Sequence, residues 1–593
     1  MSFLAKIQSG VSHCQNRSIF GRKINSMTIH HHRIPVLPER PVTYPIARQI
    51  LRSYPVGRQS FSRACKGMET ILTISTEDPL PSEIQANIIT AMNSSEDNVW
   101  EKIPFKRVDD RTLLCQIKPK HSGLHSFRAE FSLNNGATWF RDTVPDAWLL
   151  VDPPQVDGLR LYTLIPNVSG TIAEWKSDLK RIRDMGFNAV HILPITTQDT
   201  SESPYAARDL FDIDPGYLEK DSSLNGLAQL ESFIEEARNL NIQLVFDLVL
   251  NHVGVKSKMS ERAPDWIVPD QNQADGFQRA RYWANDGWHY WNDLILINYE
   301  HPSDVIRNEI WSYMTEYALF WTKYANDTGG FVRFDNLHSS NPDFIEVLTK
   351  TLHSKYPDVG VLAEYFADET TLLHAGPKWG LNFNLATPWD YKFVPQLRTY
   401  LNYIHRVSKH IRYFMPVTSH DSGTPAQEFG SIMSTIPRYV AAALLGTGAT
   451  GIIQGVEFGL EERINFIGRK SRMNFPAEPM FASFIRQVNT ILSNYSAFRS
   501  GDNCIFVDNG HHAIIAAFRQ NTGNQLFGFL VVCNFDIASE HNISIDLTQI
   551  LKIDEPIPYC ELLTCKTDIF PNPHLELQLA PCSAQVLMLS KYK

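Results

Sequence analysis

Between Gly158 and Ser500 the chain alternates short apolar runs with amphipathic stretches, and it does so eight times. The runs fall at 159–164, 189–193, 243–246, 331–334, 359–363, 381–385, 413–418 and 451–454. A strand buried on both faces reads as a continuous apolar run, whereas a helix lying on a sheet is apolar only along the stripe it buries. Stretches such as 172–185, 227–240 and 344–352 show that second pattern. Strands separated by helices pair in parallel rather than as hairpins. Eight such units predict an α/β fold, a closed (β/α)8 barrel of the TIM type, with reactive groups gathered at the carboxyl ends of the strands.

Charged residues stand where those ends should be. Gly330 to His338 is an apolar run that delivers Arg333 and Asp335; the run at 359–363 ends in Glu364, and that at 413–418 leads to His420-Asp421. Arg333 and Asp335 are two apart, so on a strand they share a face and the guanidinium can hold the carboxylate ionised. Taken alone, that pair reads as a structural ion pair. Three carboxylates delivered to one rim from distant parts of the sequence form instead the set a retaining glycosidase needs: a nucleophile, a proton donor and a third group for the transition state.

In order along the chain, Asp247-Leu248-Val249-Leu250-Asn251-His252, Arg333-Phe334-Asp335, Glu364 and His420-Asp421 resemble the four short signature motifs of the α-amylase superfamily, glycoside hydrolase family 13. The resemblance covers residues 155 to 500, and the Asp335-Asn336-x-His338 variant is similar to glycogen debranching enzyme and to the bacterial maltosyltransferase that uses maltose 1-phosphate. It implies catalytic roles for three residues. Asp335 would be the nucleophile, with a low pKa, Glu364 the general acid and then base, with a raised one, and Asp421 a partner of ring hydroxyls. Tyr205, His252, Arg333, His338 and His420 would contact substrate, with Tyr205 as a platform under the sugar; simple packing is the other reading for a loop tyrosine. Asp247 would orient its neighbours, and Asn251 stands where many relatives bind a structural calcium. No cofactor is required.

Two departures bear on the acceptor side: Ser419 replaces the usual asparagine before His420, and Asn336-Leu337-His338 lacks the lysine-histidine pair of plain amylases. The implied activity is a retaining hydrolase or transglycosylase on α-1,4-linked glucan (glycogen, starch or maltooligosaccharide) through a covalent glycosyl-aspartate. The alternative is a non-catalytic glucan-binding or scaffold protein on the same barrel. A metal-dependent hydrolase is disfavoured because the strand ends lack clustered histidines.

The flanks read differently. Residues 66–153 alternate in short runs, with Asn134-Asn135-Gly136 between two of them as a hairpin signal, and predict an immunoglobulin-like β-sandwich that either binds glucan or only packs. Residues 501–593 predict an antiparallel β domain, and the barrel carries an insertion at about 253–304. Trp266, Tyr282, Trp283, Trp288, Tyr290, Trp291 and Tyr299 crowd that insertion, where they either line a glucan cleft or form its own core. Residues 1–65 read as an extension and linker. Met1 to Pro38 lacks any acidic residue, which fits an organelle-targeting segment or a disordered tail on a chain otherwise expected in the cytoplasm. The run His30-His31-His32 is expected to bind metal only adventitiously.

With a net charge of -9 the chain lacks the basic footprint of a nucleic-acid binder. No apolar run approaches the roughly 20 residues of a membrane helix. The eight cysteines show no metal-ligand spacing and read as thiols rather than a disulfide framework.

Overall fold

The computed structural model describes residues 61–75, 79–93, 100–141, 147–284, 287–469, 471–521 and 526–591. The expectations for the targeting segment and the three-histidine run lie outside these residues.

Eight parallel strands close the barrel: β1 (Arg160–Leu164), β2 (Ala189–Ile192), β3 (Gln243–Val249), β4 (Phe331–Asp335), β5 (Gly360–Ala363), β6 (Phe383–Leu385), β7 (Tyr413–Pro416) and β8 (Thr450–Ile453), which pairs back onto β1. A helix follows each: α1 (Ile172–Asp184), α2 (Gly226–Asn239), α3 (Asp304–Asn326), α4 (Pro342–Lys355), α5 (Glu369–Trp379), α6 (Val394–Val407), α7 (Thr435–Leu444) and α8 (Ala482–Asn494). Local chemistry sets where several begin. Asn225 caps α2 by accepting from the Ala228 N–H, and Asn341 caps α4 at Phe344 with Pro342 in its first turn. Each cap satisfies an N–H that has no partner inside its helix.

The period of two along each strand separates the barrel's interior from its shell. Leu161, Ala189, Val245, Phe331, Leu362, Phe383 and Phe414 form one buried interior cluster. Two residues further along the same faces come Thr163, His191, Asp247, Arg333 and Glu364. The apolar layer is therefore the floor on which a polar layer is built. The alternate positions, among them Val190, Leu244, Phe246, Val332 and Val361, point outward and pack with Trp175, Phe233, Tyr317, Trp321 and Leu348 of the helices.

The amino-terminal unit is a sandwich of a six-stranded and a three-stranded sheet, with Ile88, Phe127, Phe131 and Leu149 among its buried residues. Its Phe61–Cys65 strand, assigned to the linker by sequence, runs parallel to Ala147–Asp152 on the sheet edge. That strand has little apolar alternation because its anchor is polar. Arg63 donates to Asp152 at 2.7 Å and to the Asn382 carbonyl at 2.9 Å, while Arg412 of the barrel reaches the other oxygen of Asp152 at 3.3 Å. The carboxyl-terminal unit is a six-stranded antiparallel sheet plus a two-stranded one around its own core.

The insertion after β3 is a small three-stranded sheet. His252–Gly254 pairs with the end of Gly287–Leu296, which pairs in turn with Arg279–Ala284. No helix among the described residues is long and apolar enough to cross a membrane. The seven described cysteines are all free.

Candidate active site

Arg333 is the centre of the barrel mouth. It is buried at 3% exposure, and its Nη1 donates to Asp247 Oδ2 at 2.5 Å, to Asp335 Oδ1 at 3.0 Å and to the Tyr205 hydroxyl at 3.3 Å. Its Nη2 donates to Glu364 Oε2 at 2.8 Å. Asp247 and Arg333 are directly paired across β3 and β4, so strand register alone sets the first contact. Two carboxylates held on the two nitrogens of one planar guanidinium are fixed within its span, with their orientations constrained by the fork.

Asp247 Oδ2 also receives the Tyr205 hydroxyl and His191 Nε2, each at 3.1 Å. Burial works against its charge, but Arg333 and His191 outweigh it and hold the carboxyl below its usual range. His420 Nε2 lies 2.7 Å from the Tyr205 hydroxyl, and the two rings stack with centroids 5.5 Å apart and planes 6° from parallel. One face of Tyr205 is thus covered by His420.

The two central carboxyls titrate opposite to the sequence expectation. Burial pushes Asp335 well above the usual carboxylate range; Arg333 opposes this, and the charges of Glu364, Asp247 and Asp421 add to it. Glu364 is also penalised by burial, but Arg333 and the Asn336 N–H, 3.0 Å from Oε2, hold it below its usual value. Burial is the largest influence on both carboxyls; Glu364 is held down by Arg333 together with the Asn336 N–H, whereas Asp335 shares Arg333 with two other acids whose charges oppose its ionisation.

Asn336 was not assigned a role from the sequence. It adopts a left-handed conformation (φ 44°, ψ 45°), which turns the chain after it so that the next residue's N–H donates to the Glu364 carbonyl at 2.9 Å. Asparagine is one of the few side chains that accepts this geometry readily, and that was the available signal. His191 was also missed; it lies on the same face of β2 as the interior Ala189, a parity that would have found it.

The remaining sequence candidates are less central. His252 is buried, and its Nδ1 lies 2.5 Å from Asn251 Oδ1 while Nε2 has no hydrogen-bond partner and is the nitrogen left for a ligand. Burial pulls its pKa down to about 4, so the ring is neutral. Asp421 lies on the rim with its side chain 56% exposed, tied to the cluster through His420 Nε2 at 3.1 Å. The Arg463 guanidinium holds the Asp421 carbonyl at 2.8 Å. His338 is exposed on the turn after β4 beside Phe366. Asn251 Oδ1, at the position where the resemblance implies a calcium, lies against His252 Nδ1, and among the described residues no three His, Cys, Asp or Glu side chains gather to hold a metal.

Residues 153–272, which carry β1 to β3 and Tyr205, match the family model for the glucanotransferase domain of glycogen debranching enzyme. An α-1,4-glucan:maltose-1-phosphate maltosyltransferase of Picrophilus torridus is 24% identical over 425 residues, or 65% of this chain and 62% of that protein. A protein of the same name from Arcanobacterium haemolyticum is 23% identical over 384 residues, 60% of this chain and 52% of its own length. The chain is thus similar to enzymes of the α-amylase type. It spans less than two thirds of the length of those two relatives. Among solved structures, a cyclomaltodextrinase aligns over 91% of the chain and all of its own, with a TM-score of 0.59 at 16% identity. The maltogenic α-amylase AmyB of Thermotoga neapolitana aligns over 73% with the same TM-score at 18% identity. Those two likenesses concern the α-amylase fold.

Proposed function

We infer that the protein is a retaining α-glucan-active enzyme in which Asp335 attacks the anomeric carbon and Glu364 protonates the departing sugar oxygen. The observation that carries this reading is Arg333 bound at once to Asp247, Asp335 and Glu364 at the carboxyl ends of adjacent strands. One guanidinium fixes nucleophile and acid relative to each other, which is the positioning that double displacement needs.

Double displacement requires an anionic Asp335 and a protonated Glu364. The directions of the two shifts in the free protein run against that requirement, so the reading needs them rebalanced when substrate binds. A sugar at the mouth meets His252 Nε2, His420 and Tyr205. Asp421, on the rim, is placed to close on ring hydroxyls through the segment that Arg463 holds. The glycosyl-Asp335 ester would then be opened by a hydroxyl that Glu364, now a base, deprotonates. Similarity to a glucanotransferase domain and to maltosyltransferases favours a sugar hydroxyl over water as that acceptor.

The test is incubation with glycogen or maltooligosaccharides, with and without maltose 1-phosphate or inorganic phosphate, followed by chromatography. A redistributed ladder or chains extended from maltose 1-phosphate support transfer, and new short sugars alone support hydrolysis. Unchanged sugars in every mixture, with wild type and Asp335→Ala alike, would leave only the scaffold reading.

A further inference from the structure

Of the four aromatic side chains that stand exposed among the described residues, three lie on one hairpin of the insertion: Tyr282 at 41%, Trp288 at 48% and Tyr290 at 50%. Trp288 and Tyr290 are two apart on the Gly287–Leu296 strand, so they share a face and stand about 7 Å apart along it. Arg281, opposite Tyr290, lies 4.3 Å over the Trp288 ring, and exposed Asn292 continues the same face. On the other face Tyr282 stacks on His289 (5.3 Å, 22°) and tilts against Trp291 (4.8 Å, 35°). Trp291 in turn packs on a small cluster containing Ala206, the neighbour of Tyr205.

The inner face of the hairpin is thus tied together by its own ring contacts, and on the outer face Arg281 lies against Trp288. Pre-set rings bind with little loss of freedom. We propose that the Trp288–Tyr290 face, with Arg281 and Asn292 beside it, is a docking platform for an α-glucan chain outside the catalytic mouth. Three observations choose that occupant. The exposed face bears flat rings flanked by hydrogen-bonding groups, the pairing that suits a pyranose with its C–H face and hydroxyl rim. Among the described residues it carries no exposed aliphatic side chain of the kind that fills a protein interface, and a single arginine rather than the basic cluster an anionic lipid surface attracts. It is continuous with the mouth, because the strand that bears both rings pairs at its far end with His252–Gly254. The platform deepens the reading of the mouth as a glucan site and rests on it for its substrate class.

The experiment is native electrophoresis of the full chain in gels with and without glycogen, paired with turnover of maltotetraose. The variants are Trp288→Ala/Tyr290→Ala, Tyr290→Ser alone, which keeps the Arg281–Trp288 contact, and Phe393→Ala, an exposed ring elsewhere. Glycogen should retard wild type and Phe393→Ala, with the double variant binding about tenfold more weakly, equivalent to about 1.4 kcal/mol, and Tyr290→Ser intermediate. Maltotetraose turnover by the double variant should stay within about twofold of wild type. Equal retardation of all variants overturns the platform, as does loss of self-association in the double variant with retardation intact. Retardation that depends on the hairpin in a protein that changes no sugar supports the platform and overturns the enzymatic reading alone.

Discussion

The backbone N–H of Asn336 donates to Oε2 of Glu364 across 3.0 Å, and the left-handed turn at Asn336, φ 44°, brings the Leu337 N–H to the Glu364 carbonyl. A β-branched residue resists that conformation by about 1–2 kcal/mol, whereas glycine enters it freely. Asn336→Gly should keep most of the activity. Asn336→Val should lower both the melting temperature and kcat, and comparing the two variants by calorimetry and steady-state kinetics checks the assignment.

Removing Arg333 leaves three acids around one buried hole. Arg333→Met should destabilise the fold by about 3–5 kcal/mol at neutral pH, the usual cost of breaking a buried ion pair. For Asp247 and Glu364, whose native pKa values are depressed, the stability gained from pairing is complete above their unfolded values and is lost as pH falls through the folded ones. The deficit of Arg333→Met relative to wild type should accordingly shrink on acidification in denaturant titrations. Arg333→Lys restores a charge but not the fork, and should still lose activity about a hundredfold.

Asp335 has the opposite sign. Its native pKa is raised, so its contribution to stability is greatest below the unfolded carboxylate pKa and is lost as pH rises through the folded value. Asp335→Asn removes that loss. The variant should melt at a higher temperature than wild type at pH 7.5, converge with it near pH 4, and be inactive. A variant less stable than wild type at pH 7.5 would contradict the upward shift of Asp335.

Three histidines are held neutral by burial. His252, His353 and His405 are each pulled down to about 4. Their stabilising neutral state is present above the usual histidine value and is lost as pH falls toward 4, by on the order of a few kcal/mol per group. Denaturant titrations should show stability dropping between pH 6.5 and 4, and His353→Gln should lose less over that interval than wild type.

Much of this arrangement was legible because periodicity survives in the sequence. All eight barrel strands lie within or close to the apolar runs, and Asp247, Arg333 and Glu364 were found because strand ends on a barrel are where chemistry collects. What could not be read was how many groups one residue would serve. Arg333 lies two residues from Asp335, and local spacing makes that pair visible; its contacts with Tyr205 and Glu364 bridge 128 and 31 positions and exist only after closure. The opposite shifts of the two acids follow from burial and from the Asn336 N–H that only Glu364 receives, neither of which local spacing shows. His191 was passed over as one polar letter in a short apolar run, and the anchor of Phe61–Cys65 was invisible because its partner, Asp152, lies 89 positions from Arg63.

That anchor also decides how the gene can be cut. Asp152 answers Arg63 of the sandwich and Arg412 beneath β7, and Asn382 adds an amide donor to it at 2.8 Å. A fragment trimmed to begin at β1 would strip the acid from under Arg412 and leave that guanidinium without its counter-ion on the barrel floor. The sandwich is thus a cornerstone of the catalytic barrel as much as a neighbour, and expression trials on the isolated barrel would be measuring a damaged foundation.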